Sequence, residues 1–387
     1  MHKRQRRLLR LRTSVGNVVV ETWYGWDPLA EAWLNPTRLL LGLEPHQELS
    51  SELEDRACFV ATWAPSYQAA CELLAKFDVP LSDSTLHTLV ARRGQRAQAQ
   101  SEERVDRFLD PRSRAQAIKQ CLPPGRQKEF SLILMMDAWK GRYRGAHWGQ
   151  EAPAKKEDHV RWQDIKSAVI YRLDHHVQKP GGRGIISQKS IVSYQGEPAE
   201  FGRRVHAQAL RAGLTAAKQV FVVADGAVWI WKIAEDRFAE ATQVLDYYHA
   251  SQHLWAVANE LFTTEQRAQA LRWINPLLEQ IQEGRVAKVI GKLEDLPSWC
   301  AQHELEVPEL LETQINYLKT HQPRMHYPKV KEQGAPIGSG AMESLCSQLQ
   351  GRFKRTGQFW TETGFDHLMA LTVARRNHDW NQIWSEN

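Results

Sequence analysis

Between residues 131 and 247 the chain is a succession of short apolar runs, and two of them end in aspartate. Ser131-Leu-Ile-Leu-Met-Met leads into Asp137, and Val220-Phe-Val-Val-Ala leads into Asp225-Gly226. Runs of this length, bounded by turn residues, predict strands near 131–137, 165–172, 185–194, 219–225 and 242–247. Helical patterns near 198–214 and 228–239 precede the last two. Three strands followed by alternating helices and strands predict an α/β fold, a mixed sheet with helices on its faces. In such sheets the carboxyl ends of the strands gather the groups that do chemistry.

A third acid completes the pattern. Glu343 follows Gly338-Ser-Gly-Ala-Met, where a turn opens a helix. On that helix Met342, Leu345, Leu349 and Phe353 make an apolar stripe, and Glu343, Ser347, Gln350 and Lys354 lie on a neighbouring face. Each acid alone has a plainer reading, as a turn aspartate or a first-turn helix carboxylate. Together, two carboxylates at strand ends and one on a helix suit a pair of Mg²⁺ ions about 3.5–4 Å apart, set for in-line attack on a phosphodiester. Mg²⁺ binds through a few carboxylates plus substrate phosphates. The constellation therefore points to nucleic-acid chemistry, with Mn²⁺ able to substitute. Lys140, Arg142 and Arg144 follow the first aspartate, and Arg352, Lys354 and Arg355 close the helix. These six are read as phosphate contacts, the alternative being a solvated hairpin and helix end. The order of elements is that of an RNase H-like core at 129–248, completed at 336–387 by the helices that carry Glu343.

The stretch 249–335 has no strand signal. Leu254, Val257 and Leu261 recur at helical spacing, as do Trp273, Leu277 and Ile281, and later Leu311, Ile315 and Leu318. An all-helical insertion there accounts for the long gap between Asp225 and Glu343. Asp246-Tyr-Tyr-His249 stands at its start, with His253 one turn further on. The favoured reading is a hydrogen-bonded Asp246–His249 pair buttressing the carboxylates; a zinc site with His253 is conceivable.

The N-terminal region reads as small and mostly helical. Residues 1–50 hold a β-hairpin over 6–24 and a helical segment, and 51–95 form a helix-turn-helix-like region. Its second helix, capped near Ser82, presents Ser84, Thr85 and Arg92 to a DNA groove, or else belongs to a compact helical hairpin. Residues 96–128 are polar and read as a linker, either a linker helix or an exposed connection. Trp360 reads as core, with base stacking as the alternative.

Composition narrows the setting. A net charge of +5 and a pI near 8.9 allow a polyanionic partner without requiring one. The five cysteines form no Cys-x-x-Cys pair, which argues against a zinc ribbon and a disulfide framework and fits a reducing cytoplasm. No apolar stretch approaches the roughly 20 residues of a membrane span. The basic start, with Lys3, Arg4, Arg6, Arg7, Arg10 and Arg12, has no signal-peptide core.

Taken together, these residues resemble the DDE transposases of bacterial insertion sequences, nearest the Kra-type family related to the Mutator-like group. The matching stretches are Met136-Asp-Ala-Trp139, Val222-Val-Ala-Asp-Gly-Ala-Val-Trp-Ile-Trp231, Leu245-Asp-Tyr-Tyr-His-Ala250, Ile337-Gly-Ser-Gly-Ala-Met-Glu343 and Gly357-Gln-Phe-Trp-Thr-Glu-Thr-Gly364. The resemblance covers about 130 to 384, and more weakly 66–93. It implies that Asp137, Asp225 and Glu343 are the DDE triad, and that Asp246 and His249 are the Asp-x-x-His motif between the second aspartate and the glutamate. It implies a DNA transposase that cleaves at terminal inverted repeats and joins the freed 3′-OH ends to target DNA, with two Mg²⁺ ions. Its partner is double-stranded DNA; it acts as a dimer or larger assembly, on the bacterial nucleoid. Relatives carry cysteine pairs near the N-terminus; residues 18–50 have none, so no zinc is expected there. A nuclease that cuts without joining, a catalytically silent DNA-binding protein and a structural protein are the alternatives.

Overall fold

The computed structural model describes residues 2–44, 47–121, 129–151, 155–178 and 184–384, and side chains from residue 5 onward. Two compact units divide the chain, 1–100 with 355–387, and 101–354.

In the first unit, β1 (His2–Thr13) and β2 (Gly16–Asp27) form an antiparallel hairpin, and β3 (Ala32–Leu34) adds a short third strand. The hairpin is longer than the predicted 6–24, and β3 was not foreseen. Three residues carry little periodicity; β3 is held by pairing with β2 and by Trp33, whose ring stacks on Tyr24 at 5.4 Å. Helices α1 (Pro36–Leu40), α2 (Ser51–Trp63), α3 (Tyr67–Ala75) and α4 (Asp83–Leu109) follow. A serine oxygen opens each of the last three, accepting from Leu53 N (3.3 Å), Ala69 N (3.0 Å) and Thr85 N (3.2 Å).

Helix α4 spans 27 residues, so the start of the linker at 96–128 is the continuation of that helix. Its Ala, Gln, Arg and Glu residues are strong helix formers, and Ala97, Val105 and Phe108 are buried along it. Helix α5 (Arg114–Cys121) continues the stretch, and 122–128 lie outside the described residues.

Glu54 on α2 is fully buried. It accepts from Arg93 Nη2 at 2.6 Å and from Arg92, which also meets Glu44 at 3.2 Å. This corrects the reading of Arg92 as a groove contact: its guanidinium is drawn to a buried carboxylate, which leaves water only when paired. Glu54→Ala strands two guanidiniums and is expected to cost roughly 3–5 kcal/mol of stability in urea unfolding. An unchanged midpoint would show that the pairs contribute nothing.

The second unit is built on β4 (Ser131–Arg144), α6 (Lys156–His159), β5 (Val160–Arg172), β6 (His176–Gln178), β7 (Gly184–Ile186), β8 (Ser190–Gln195), α7 (Pro198–Arg211), β9 (Gln219–Ala224), α8 (Val228–Arg237) and β10 (Thr242–Leu245). Five strands make one mixed sheet in the order β10-β9-β4-β5-β8. Strands β4, β9 and β10 are parallel; β5 is antiparallel to both β4 and β8. Residues 132–136 and 221–224 are buried at every position, so both faces of these central strands are covered.

Two strand predictions are corrected. The run 185–194 is two strands: β7 pairs β6 in a separate ribbon, and β8 joins the sheet. Strand β4 does not end at Asp137 but continues to Arg144 against β5. The apolar run stops at 136 because β9 stops there, and beyond Trp139 the strand goes on as a two-stranded ribbon.

Helices α9 (Tyr247–Leu261), α10 (Arg267–Gln282), α11 (Val286–Glu294), α12 (Leu296–Gln302), α13 (Leu311–His321) and α14 (Tyr327–Glu332) fill the interval before α15 (Gly340–Phe353). The first unit then resumes with α16 (Glu362–Arg376).

Candidate carboxylate site

Met136, Ala224 and Leu245 form one row of register across β4, β9 and β10. The next residue on each strand is an aspartate: Asp137, Asp225 and Asp246. Neighbouring strands lie about 4.8 Å apart, so parallel pairing lines up three aspartates where β9 and β10 end and β4 runs on. The protein uses them differently.

Asp246 is completely buried, and four donors reach it. Tyr248 N (2.6 Å) and His249 N (3.2 Å) donate to Oδ1, capping α9. Ser339 N (2.6 Å) and the Ser339 hydroxyl donate to Oδ2. Its own N–H donates to Ala224 O at 2.7 Å, and Tyr247 N donates to Ile337 O at 2.9 Å. One side chain thus joins the end of β10, the start of α9 and the turn that opens α15. A Cβ at Gly338 would sit 2.8 Å from the Tyr248 ring, so that turn needs a glycine.

The expected Asp246–His249 side-chain pair is not made; Asp246 takes the His249 backbone N–H, and its oxygens are spent on the cap and on Ser339. The His249 imidazole is instead close enough to Asp137 to lower that carboxyl's pKa.

On balance the Asp137 pKa is raised, chiefly by burial, with the Asp225 charge adding to it against the Ala138 N–H and His249. Asp137 Oδ1 accepts from Ala138 N at 2.6 Å, and Oδ2 accepts from Cys346 Sγ at 3.8 Å. Cys346 lies on α15 about one turn after Glu343. Its thiol is pushed up to about 12 by burial and then by Asp137 and Glu343, so it stays a protonated donor. Glu343 is exposed, about one turn before Cys346 on the same helix.

Asp225 turns sharply after β9. Its Oδ1 accepts from Ala227 N at 3.0 Å, and its backbone carbonyl accepts from the Tyr317 hydroxyl at 2.8 Å. Gly226 has φ +103°, and a Cβ there would lie 2.8 Å from Tyr317 Oη, so glycine is required twice over. Tyr317 on α13 stacks on His253 of α9 at 3.5 Å and lies 4.6 Å from His321. Burial lowers both histidine pKa values, so this wall is neutral. His253 hydrogen-bonds Gln314 rather than joining Asp246 in a zinc site. Among the described residues, no three His, Cys, Asp or Glu side chains are gathered closely enough to hold an ion by themselves.

Sequence patterns missed Ser339, Cys346 and Tyr317. Cys346 was open to view as the residue one turn past Glu343; Tyr317 sits in an ordinary amphipathic helix and carries no signal.

The basic residues divide. Lys140 is exposed and meets Asp164 at 2.9 Å. Arg142 donates to Lys354 O at 3.1 Å. Arg144 is exposed, 5.8 Å from the Trp148 ring. Lys354 is half-buried and Arg355 exposed. Arg352 is only 6% exposed and lies against Phe353, which corrects its reading as a phosphate contact: it is on the packed side of α15. Ser84 is exposed and Thr85 half-buried in the first turn of α4, their hydroxyls bonded to Ser82. Trp360 is buried and packs edge-on against Phe365, so core packing, not base stacking, is its role.

No protein-family model matches the chain, and no curated protein matches it. Among the described residues no helix is long and apolar enough to cross a membrane.

Two outcomes follow from this geometry. Asp246→Ala removes a helix cap and two further donors' acceptor, and should destabilise the second unit by roughly 2–5 kcal/mol. Amide exchange should rise first at Ser339 and Tyr248; unchanged protection there would refute the tie. The folded Asp137 pKa is above its unfolded value of about 3.9. The folded state therefore holds this proton more tightly. Stability falls as pH rises from the unfolded value through the folded one, and the whole penalty is present above it. Asp137→Asn should thus raise the melting temperature at pH 7, with the gain vanishing below about pH 4.

Proposed function

We propose that the chain is a DDE-type DNA transposase whose second unit is an RNase H-like catalytic core with a helical insertion. The observation that carries this reading is the register row. It sets Asp137 beside Asp225, where β9 ends and β4 runs on, and α15, the helix of Glu343, meets Asp137 through Cys346. The strand order β8-β5-β4-β9-β10, three antiparallel strands and then two parallel ones, supports the RNase H-like assignment.

The residues fit a hard divalent cation. All three acids offer only oxygen donors, and Asp137 and Asp225 raise each other's need for a counter-charge. When bound by Asp137, Asp225 and Glu343, Mg²⁺ or Mn²⁺ supplies Lewis-acid activation of the phosphodiester and of the attacking water or 3′-OH. The two aspartates are fixed by strand pairing, and Tyr317 holds the Asp225 turn through its carbonyl. Glu343 is exposed and on a longer side chain, free to adjust as substrate phosphates arrive. Cys346, in its thiol form, hydrogen-bonds one Asp137 oxygen, and the Ala138 N–H holds the other.

Lys140, Arg142, Arg144, Lys354 and Arg355 are assigned to the DNA backbone, and the α3–α4 pair, with Ser84 and Thr85, to the transposon ends. Double-stranded DNA is the partner, with at least two copies acting on paired ends.

The test uses duplex ends carrying 3′-OH groups, a target plasmid and Mg²⁺. Wild type is expected to cleave and join. Asp225→Asn should reduce both to background while end binding, measured by gel shift, persists. Cleavage without joining would reduce the reading to a nuclease. Catalysis retained in Asp225→Asn would overturn it.

A further inference from the structure

Beyond Trp139 the sheet narrows to the β4–β5 ribbon. On one face of it Lys140, Arg142 and Arg144 stand beside Trp162, Asp164 and Lys166, with Arg142 paired directly across from Trp162. Trp162 is 50% exposed. Its ring lies 6.0 Å from the Arg142 guanidinium and 5.4 Å from Lys354 Nζ. Asp164 is the one acid of the group, and Lys140 answers it at 2.9 Å.

Two rulers relate this ring to the carboxylates. Asp137 and Arg142 are separated by about 17 Å of strand, at ~3.4 Å per residue. Glu343 and Lys354 are separated by about 16 Å of helix, at ~1.5 Å per residue. Strand and helix cover similar lengths, and the odd offset puts Arg142 and Trp162 on the opposite face of the ribbon from Asp137.

We propose that Trp162 is a stacking platform for an unpaired DNA base, with Arg142, Lys354 and Lys140 holding the flanking phosphates. An indole offers its face to any base, whatever the sequence, and cations beside it suit the backbone on either side. A base within a duplex is already stacked, so fully paired DNA engages the cations but not the ring. The proposal rests on the reading of the core as a DNA-processing site, and it adds that the bound strand is unpaired where it crosses the ribbon.

The experiment measures binding of the full chain to oligo(dT) of about 16 nucleotides and to a blunt duplex of equal length, by fluorescence anisotropy at low salt. Trp162→Ala should weaken oligo(dT) binding by roughly 5- to 100-fold and leave the duplex nearly unchanged. Trp162→Phe should keep most of the affinity. Trp162→Leu, which preserves apolar bulk, should behave like alanine and guards against a folding defect. Lys140→Ala should instead lower the salt slope by about 0.7. Equal losses on both probes, no loss on oligo(dT), or no oligo(dT) binding by wild type would overturn the platform. Tighter binding of oligo(rU), lost in the same variants, would reassign the surface to RNA and overturn the DNA proposal. Base stacking without metal-dependent cleavage would leave the platform standing and sink the transposase reading; cleavage unaffected by Trp162→Ala together with unchanged oligo(dT) binding would do the reverse.

Discussion

The buried carboxylate of Asp246 is the junction on which the second unit depends. A charged group removed from water is costly unless its lone pairs are used, and here four donors use them. Those donors belong to two elements that are distant in the chain, the start of α9 and the turn before α15. The helical block between them can therefore be long and irregular without loosening the site. Its ends are fastened to one side chain, and that side chain is fastened through its own N–H to the end of β9.

The same register that puts Asp246 in place creates an electrostatic burden next to it. Asp137 and Asp225 are neighbours because their strands are parallel and in register, not because the pair stabilises the fold. Burial and the Asp225 charge both disfavour the ionised Asp137. The surroundings reduce the strain without removing it, through the Cys346 thiol, the Ala138 N–H and the nearby His249. A neutral wall of His253, Tyr317 and His321 supports the turn at Asp225 and adds no counter-charge. Perturbed acids that the protein leaves partly uncompensated are characteristic of functional sites.

A net charge of +5 says little about where the positive charge acts. Arg92 and Arg93 are consumed by Glu54, and Arg352 is packed inside α15. Lys140 and Arg144 are exposed where β4 and β5 run on as a ribbon, beside the half-exposed Trp162. Composition cannot separate these two populations, because an arginine beside a buried glutamate and one on a ribbon edge are the same letter.

By itself the sequence determined most strands and helices of the second unit, the two aspartates that follow apolar runs and the helix that carries Glu343. These follow from local rules: apolar periodicity, serine caps, and glycines where the backbone must turn. It also showed the helical block between β10 and α15. Four things needed the tertiary structure. Strand β4 outruns its apolar segment, because pairing with β5 continues after β9 has left. Helix α4 runs unbroken from the N-terminal helices into the polar linker, because buried Ala97, Val105 and Phe108 are spaced too sparsely among polar residues to show. Asp246 caps a helix and grips Ser339 rather than pairing with the His249 ring, a choice made by a turn far away in sequence. Tyr317 and Cys346 reach the carboxylates from helices whose patterns mark only their buried faces. Periodicity reports which side of an element is apolar; which polar atoms meet across elements is decided only when the chain has packed.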